Sequence, residues 1–100
     1  MIDASSRIRE IANSMLADID AYEAGRMSVD RLAFHLKSQI AALEQSAANA
    51  EWTEELRSLR NEVEYVSAFF IESGRAELNE DESNQLTAVL GELRAALVTY

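Results

Sequence analysis

Apolar side chains recur every three or four residues in four stretches of the chain, and this spacing places them on one face of an α-helix. Proline is absent, and alanine, leucine and glutamate are abundant, which favours helix throughout. The four apolar stripes are Ile8–Tyr22, Val29–Leu43, Trp52–Phe70 and Leu86–Leu97, the last of which extends to Tyr100. We therefore predict four amphipathic helices.

Serine and glycine residues mark the ends of the first two predicted helices. Ser5 or Ser6 is expected to cap the start of the first helix, because a serine hydroxyl accepts a hydrogen bond from an otherwise unpaired backbone N–H. Gly25 fits a left-handed cap at its end, since glycine adopts a positive φ without a steric penalty. Ser28 is expected to cap the second helix.

The boundary between the second and third helices carries the weakest signals. Ser46–Asn49 is the expected loop, with Asn49 as the stop of the second helix, although the alanines here are also compatible with a continuing helix. The third helix is expected to begin within Glu51–Thr53, where acidic side chains suit the positive end of the helix dipole. Gly74 is expected to end it.

The fourth helix begins with a recognisable capping pattern. Asn79 and Glu82 lie three residues apart and predict a capping box. Gly91 falls inside this helix and off its leucine stripe, where it marks either a close approach of another backbone or a tolerated cost of about 1 kcal/mol. Short links favour antiparallel neighbours. The predicted fold is therefore all-α, a compact antiparallel four-helix bundle, with residues 1–100 in a single domain.

The residue inventory excludes most catalytic chemistry. The chain has 100 residues, no cysteine and one histidine, His35. Thiol chemistry, disulfides and most metal sites are excluded on this basis, and neither a Glu-x-x-His pair nor a Gly-rich phosphate loop is present. His35 lies beside the apolar stripe of the second helix, and we interpret it as a residue at the edge of the core or on the surface. We predict no enzymatic activity, no cofactor and no metal.

Charge narrows the range of partners. The chain has 18 acidic and 9 basic side chains, for a formal net charge of −9. Nucleic acids and anionic membranes repel such a protein, so neither is an expected partner. The N-terminus lacks an apolar signal segment, and no stretch approaches the roughly 20 apolar residues that span a bilayer. The predicted location is the cytoplasm.

Most of the negative charge lies in the second half of the chain. The first 50 residues carry seven acidic and five basic side chains, whereas the last 50 carry eleven and four. The clustered acidic positions are Glu51, Glu54, Glu55, Glu62, Glu64, Glu77, Glu80, Asp81 and Glu82. Favourable interactions with helix dipoles and solubility explain each cluster taken alone. The alternative is an acidic docking surface for a cationic partner.

Three aromatic residues lie off the predicted apolar stripes. Tyr65 and Phe69 share a face of the third helix, more than a quarter turn from its seam, and Phe34 points nearly opposite the stripe of the second helix. These residues form either a second buried face or an exposed aromatic anchor. For Tyr65 and Phe69 the flanking acids would be Glu62 and Glu64, and aromatic residues rimmed by charge are typical of interfaces.

Three segments resemble small helical immunity proteins of the colicin D immunity type and of contact-dependent growth inhibition and other polymorphic toxin systems. They are "DIDAYEAGRMSVDRLAFHLKSQI" at 18–40, "EWTEELRSLRNEVEYVSAFFIESG" at 51–74 and "ELNEDESNQLTAVLGEL" at 77–93. The matched features are mostly helix ends and apolar positions. The acidic Tyr-Tyr-Pro motif of the other helical nuclease-colicin immunity family is absent.

This resemblance implies an inhibitor without chemistry of its own. Such proteins bind a cognate toxin domain, often a cationic nuclease, and block its active site or substrate surface. A monomer that forms a one-to-one complex is expected. The predicted contact residues are Glu62, Glu64, Tyr65, Phe69, Glu77, Glu80, Asp81 and Glu82.

Other function classes stay open on the sequence alone. A helical adaptor or self-associating regulator would use the Leu56–Phe70 seam, although this seam is short for a coiled coil. A secreted Trp-x-Gly helical hairpin fits the length and acidity, but Trp52 is followed by Thr53 and Glu54 instead of a glycine at the second position. A bundle enzyme or ligand carrier would require a defined ligand.

Overall fold

Four α-helices make up the computed structural model, which describes residues 4–46, 48–74 and 77–98. They are α1 (Ala4–Glu23), α2 (Val29–Gln45), α3 (Ala50–Ser73) and α4 (Glu80–Val98). Each helix packs against the next one along the chain, and α1 also packs against α4. The backbones of the diagonal pairs, α1 with α3 and α2 with α4, do not approach each other within these ranges. The four helices therefore surround one core, as predicted for an all-α four-helix bundle.

Side-chain contacts show that consecutive helices run antiparallel. His35 on α2 contacts Asp18 on α1, whereas Gln39, one turn later on α2, donates to Ser14, one turn earlier on α1, over 3.1 Å. Arg57 near the start of α3 pairs with Glu44 near the end of α2. The indole Nε1 of Trp52, at the start of α3, donates to the carbonyl oxygen of Ala96, near the end of α4, over 2.9 Å.

The core consists of the predicted apolar stripes. Its largest fully buried side chains are Met15, Ile19, Leu32, Leu36, Leu43, Leu56, Val63, Val66, Leu86, Leu93 and Leu97. Full burial of one such side chain contributes about 1.5–3 kcal/mol relative to its exposure. Ile11, Tyr22, Trp52, Leu59 and Phe70 are partly buried and pack against this core. Tyr100, placed at the end of the fourth stripe by the sequence, lies outside the described residues.

Three predicted helix ends are confirmed. Gly25 and Gly74 follow α1 and α3 with φ of 78° and 69°, in the left-handed region that favours glycine. The capping box of α4 is complete. The backbone N–H of Glu82 donates to Oδ1 of Asn79 over 2.8 Å, and the backbone N–H of Asn79 donates to Oε1 of Glu82 over 2.9 Å.

Other helix ends differ from the sequence prediction. α1 begins at Ala4, so the prediction that Ser5 or Ser6 caps it from outside is wrong; serine is also tolerated within a first helical turn. Asn49 does not stop α2, which ends at Gln45. The side chain of Asn49 instead accepts a hydrogen bond from the backbone N–H of Trp52 over 3.1 Å and caps α3. Asparagine ranks among the best N-cap residues, which explains this role.

Two further expectations concern Ser28 and Gly91. Ser28 is the N-cap residue of α2, but its side chain makes no capping hydrogen bond; only its carbonyl oxygen accepts, from Leu32 N–H. Gly91 is exposed, and a Cβ added there would meet nothing within 4 Å. No backbone among the described residues approaches it. Gly91 is therefore not required by packing, and its cost to helix stability is tolerated. Within the described ranges, no helix is both long and apolar enough to cross a membrane.

Candidate partner-binding surface

Two large aromatic side chains of α3 are exposed to solvent. Tyr65 is 66% exposed and Phe69 is 54% exposed. Their ring centroids lie 6.4 Å apart, with the ring planes 22° from parallel. This separation is within the range of interacting aromatic pairs. The alternative of a second buried face is therefore ruled out for both residues.

This aromatic pair forms one wall of a groove between α3 and α4. The groove has a volume of about 200 Å³. It is lined by Tyr65, Val66, Phe69, Asn79, Asp81, Glu82 and Gln85. The α3/α4 groove, as we call it, thus brings together the predicted aromatic residues and part of the predicted acidic link. The capping box fixes the backbone of the second wall.

Four of the predicted acidic contact residues have exposed side chains. Glu62 is exposed on α3, three residues before Tyr65, and therefore shares its face. Glu77, Glu80 and Asp81 are exposed in the link and in the first turn of α4. None of the four carboxylates accepts a hydrogen bond from, or forms an ion pair with, another described residue. Their charges are therefore not neutralised by the described part of the protein.

Glu64 and Glu82 occupy different environments from the other predicted contact residues. The carboxylate of Glu64 accepts from Arg60, one turn earlier on α3, over 2.9 Å. Glu82 is only 8% exposed, and its carboxylate belongs to the capping box. Sequence spacing is compatible with both partners, because Arg60 and Glu64 lie four residues apart and Asn79 with Glu82 predicts a capping box. We therefore define the acidic-aromatic face by the remaining six residues. It consists of Glu62, Tyr65, Phe69, Glu77, Glu80 and Asp81. Tyr65, Phe69 and Asp81 line the groove itself, whereas Glu77 and Glu80 lie in the adjoining link and first turn of α4.

The described cations that form ion pairs do so on other sides of the bundle. Arg94 on α4 pairs with Asp20, over 2.7 Å, and with Glu23 on α1. Arg57 donates to Glu44 of α2, and this hydrogen bond raises the pKa of the Arg57 guanidinium above its ordinary value. These pairs join neighbouring helices. They partly neutralise the acidic side chains of α1 and α2. None of the described cations forms an ion pair with a carboxylate of the acidic-aromatic face.

His35 lies half-buried between α1 and α2, in agreement with its predicted place at the edge of the core. Its Nδ1 is 3.3 Å from Oδ2 of Asp18, and Nε2 of Gln39 donates to the same oxygen over 2.8 Å. These contacts join the two helices. Among the described residues, no group of three histidine, cysteine, aspartate or glutamate side chains is placed to hold a metal ion.

Phe34 is the third aromatic residue that the sequence placed off the stripes. It is 68% exposed on α2, beside the ring of His35, whose centroid is 6.4 Å away. The backbone of α2 does not contact that of α4, so Phe34 is not part of the α3/α4 groove. Its helical face carries charges of both signs, since exposed Asp30 lies four residues before it and exposed Arg31 three residues before it.

Sequence reasoning missed three residues of the groove. Val66 had been placed in the core stripe of α3 and Asn79 in the cap of α4; both also line the groove. Gln85 carried the clearest available signal, because it follows Asp81 by four residues and therefore lies on the same helical face.

A larger cleft of about 720 Å³ opens between the two links at one end of the bundle. Tyr22, Met27, Phe70, Leu78 and Thr87 are among the residues that line it. Partial burial, with a smaller contribution from Glu23, raises the pKa of the Tyr22 phenol. The sequence analysis did not anticipate this cleft.

Comparison of the chain with protein-family models, with curated protein sequences and with solved structures finds no match.

Proposed function

We propose that this chain is an immunity protein that binds and neutralises a cognate cationic toxin domain through its acidic-aromatic face. The observation that carries the proposal is the exposure of Tyr65 and Phe69 beside carboxylates that have no partner in the described residues. Aromatic residues dominate binding energy at protein interfaces, where surrounding polar residues exclude water. The acidic residues supply charge complementarity.

The charge of the protein fits a partner that acts on nucleic acid. A nuclease must present a cationic surface to its polyanionic substrate. The acidic-aromatic face is complementary to such a surface, so binding here would cover the toxin's substrate site. The inhibitor needs no catalytic group, because occupancy of that site is sufficient. We place this one-to-one complex in the cytoplasm.

Self-association has less support from the structure. An adaptor was expected to use the Leu56–Phe70 seam, but Leu56, Val63 and Val66 are buried inside the bundle. The four helices also differ from the two-helix architecture of a Trp-x-Gly hairpin. Trp52 instead joins α3 to α4 within the chain.

Co-expression tests the proposal. The tagged chain is produced together with the C-terminal domain encoded immediately upstream of it, and growth and complex formation are measured at two salt concentrations. We expect a one-to-one complex that rescues growth and associates more slowly at high salt, because salt screens exposed charges. A toxic upstream domain that neither binds nor is neutralised by this chain would refute the proposal for that partner.

A pair of double variants tests the location of the interface. Glu80→Lys with Asp81→Lys reverses two charges on the acidic-aromatic face. Glu54→Lys with Glu55→Lys makes the same change near the start of α3, where both residues are also exposed. We expect only the first pair to lower the association rate strongly. Equal losses from both pairs would show that net charge, and not this face, governs binding.

A further inference from the structure

We infer that the α3/α4 groove receives an arginine side chain of the cationic partner. This inference rests on the proposed function and deepens it by naming the group that the surface recognises. The groove is too small for a drug-sized ligand, since its volume of about 200 Å³ lies below the roughly 300–1,000 Å³ of small-molecule sites. It is suited instead to one long side chain presented by a protein surface.

The aromatic wall favours a planar cation. Tyr65 and Phe69 present two rings within 22° of parallel, and both rings are more than half exposed. A guanidinium group stacks flat on such rings through cation–π and π interactions. A lysine ammonium is a compact, strongly hydrated charge that gains less from a flat aromatic surface. The shape of this wall therefore distinguishes the two cations.

The α4 wall supplies the complementary charge. Asp81 is exposed, lines the groove and has no hydrogen-bond or ion-pair partner among the described residues. A carboxylate in this position can accept two parallel N–H bonds from one guanidinium group. Gln85 adds an amide on the same helical face, and no cation among the described residues lines the groove.

The floor of the groove suits the aliphatic part of a long side chain. Val66 is buried between the two walls. The methylene groups of an arginine side chain can cover such apolar surface while the charged group stays at the rim. The aromatic wall thus matches the planar face of the guanidinium group, the apolar floor matches the methylene groups, and the carboxylate of Asp81 matches the positive charge.

Titration with three short peptides tests this inference on the full chain. The peptides are acetyl-Gly-Xaa-Gly-amide with arginine, lysine or the neutral arginine analogue citrulline at the centre. NMR chemical shifts of the Tyr65 and Phe69 rings, the Val66 methyl groups and the Gln85 side-chain amide report on the groove. We expect saturable shifts with the arginine peptide, weaker binding of the lysine peptide and no saturable binding of the citrulline peptide.

Two positions provide a matched pair of variants. Asp81 and Asp30 are each the second residue of a helix, and both are exposed, so the same change perturbs the helix dipole equally. We expect Asp81→Asn to weaken arginine-peptide binding by about twofold to fivefold, as for loss of an exposed ion pair. Asp30→Asn should leave it unchanged. Phe69→Leu should weaken it by about twofold to fivefold through loss of the cation–π interaction.

The outcomes separate this inference from the proposed function. Equal binding of arginine and lysine peptides, or no saturable shift of the groove signals up to the solubility of the arginine peptide, would overturn the arginine assignment. Equal losses from Asp81→Asn and Asp30→Asn would also overturn it. A toxin complex that depends on Glu80 and Asp81 would still support the immunity function in each of these cases. Thermal unfolding of each variant verifies that the fold is retained.

Discussion

Gly91 provides a quantitative test of whether its place in α4 has any packing role. Gly91→Ala adds a methyl group within α4 at an exposed position where no atom lies within 4 Å of the new Cβ. Because alanine loses less conformational entropy than glycine when a helix forms, we expect a stability gain of about 0.5–1 kcal/mol. For a domain of this size, that gain corresponds to a rise in Tm of roughly 2–8 °C.

The assay is urea unfolding followed by circular dichroism, with the midpoint and the slope fitted separately. An unchanged slope would show that the variant alters stability without altering the surface exposed on unfolding. Gly74→Ala is the matched control, because its Cβ also meets open space but its φ of 69° is left-handed. A side chain in that conformation costs roughly 1–2 kcal/mol, so this variant should be less stable. A Gly91→Ala variant that is no more stable than the parent protein would refute the reasoning.

Three further predictions concern the capping box of α4, the partly buried phenol of Tyr22 and the exposed pair Tyr65 and Phe69. Glu82→Ala should lower the free energy of unfolding by about 1 kcal/mol through loss of the capping box. Glu82→Gln should retain most of the stability, because glutamine can make the same hydrogen bond. Equal losses of stability for both variants in urea unfolding would contradict this. Burial raises the pKa of Tyr22, so its neutral form stabilises the folded state. This contribution is complete below the unfolded-state pKa and is lost as pH rises through the higher folded-state pKa. Absorbance titration of Tyr22→Phe should therefore lack a tyrosine step that the parent protein shows above the ordinary tyrosine pKa. Tyr65→Ser with Phe69→Ser should change the free energy of unfolding little, because both side chains are exposed, yet weaken toxin binding by more than about tenfold. Unchanged affinity would exclude the pair from the interface.

The helices could be predicted from the sequence because their signals are local. Apolar spacing, two left-handed glycines and the Asn79–Glu82 pair each act within a few residues. The predicted cap of α1 and the predicted role of Asn49 were wrong, because several nearby residues can serve as caps with similar free energy. Local preferences therefore determine the number of helices better than their exact ends.

The candidate surface could be predicted only in part, because exposure depends on where α4 lies against α3. The positions of Tyr65 and Phe69 on the helix fit a second buried face as well as an exposed pair. Glu64 and Glu82 have the same charge as their neighbours, but the structure pairs one with Arg60 and uses the other in the cap. Both partners lie within four residues in the sequence and could have narrowed the predicted contact set, whereas the exposure of Tyr65 and Phe69 required the structure.

The ring of helix contacts also has a consequence for the order of folding. Three of its four interfaces join consecutive helices, and only the α1–α4 interface joins helices distant in the chain. Interfaces between consecutive helices require little loop-closure entropy, so we expect the three hairpins to form early and the whole domain to fold rapidly. Docking of α1 on α4 would then come last. Contacts absent from the transition state affect mainly the unfolding rate, so the Arg94 pairs with Asp20 and Glu23 would slow the opening of the bundle more than they speed its assembly.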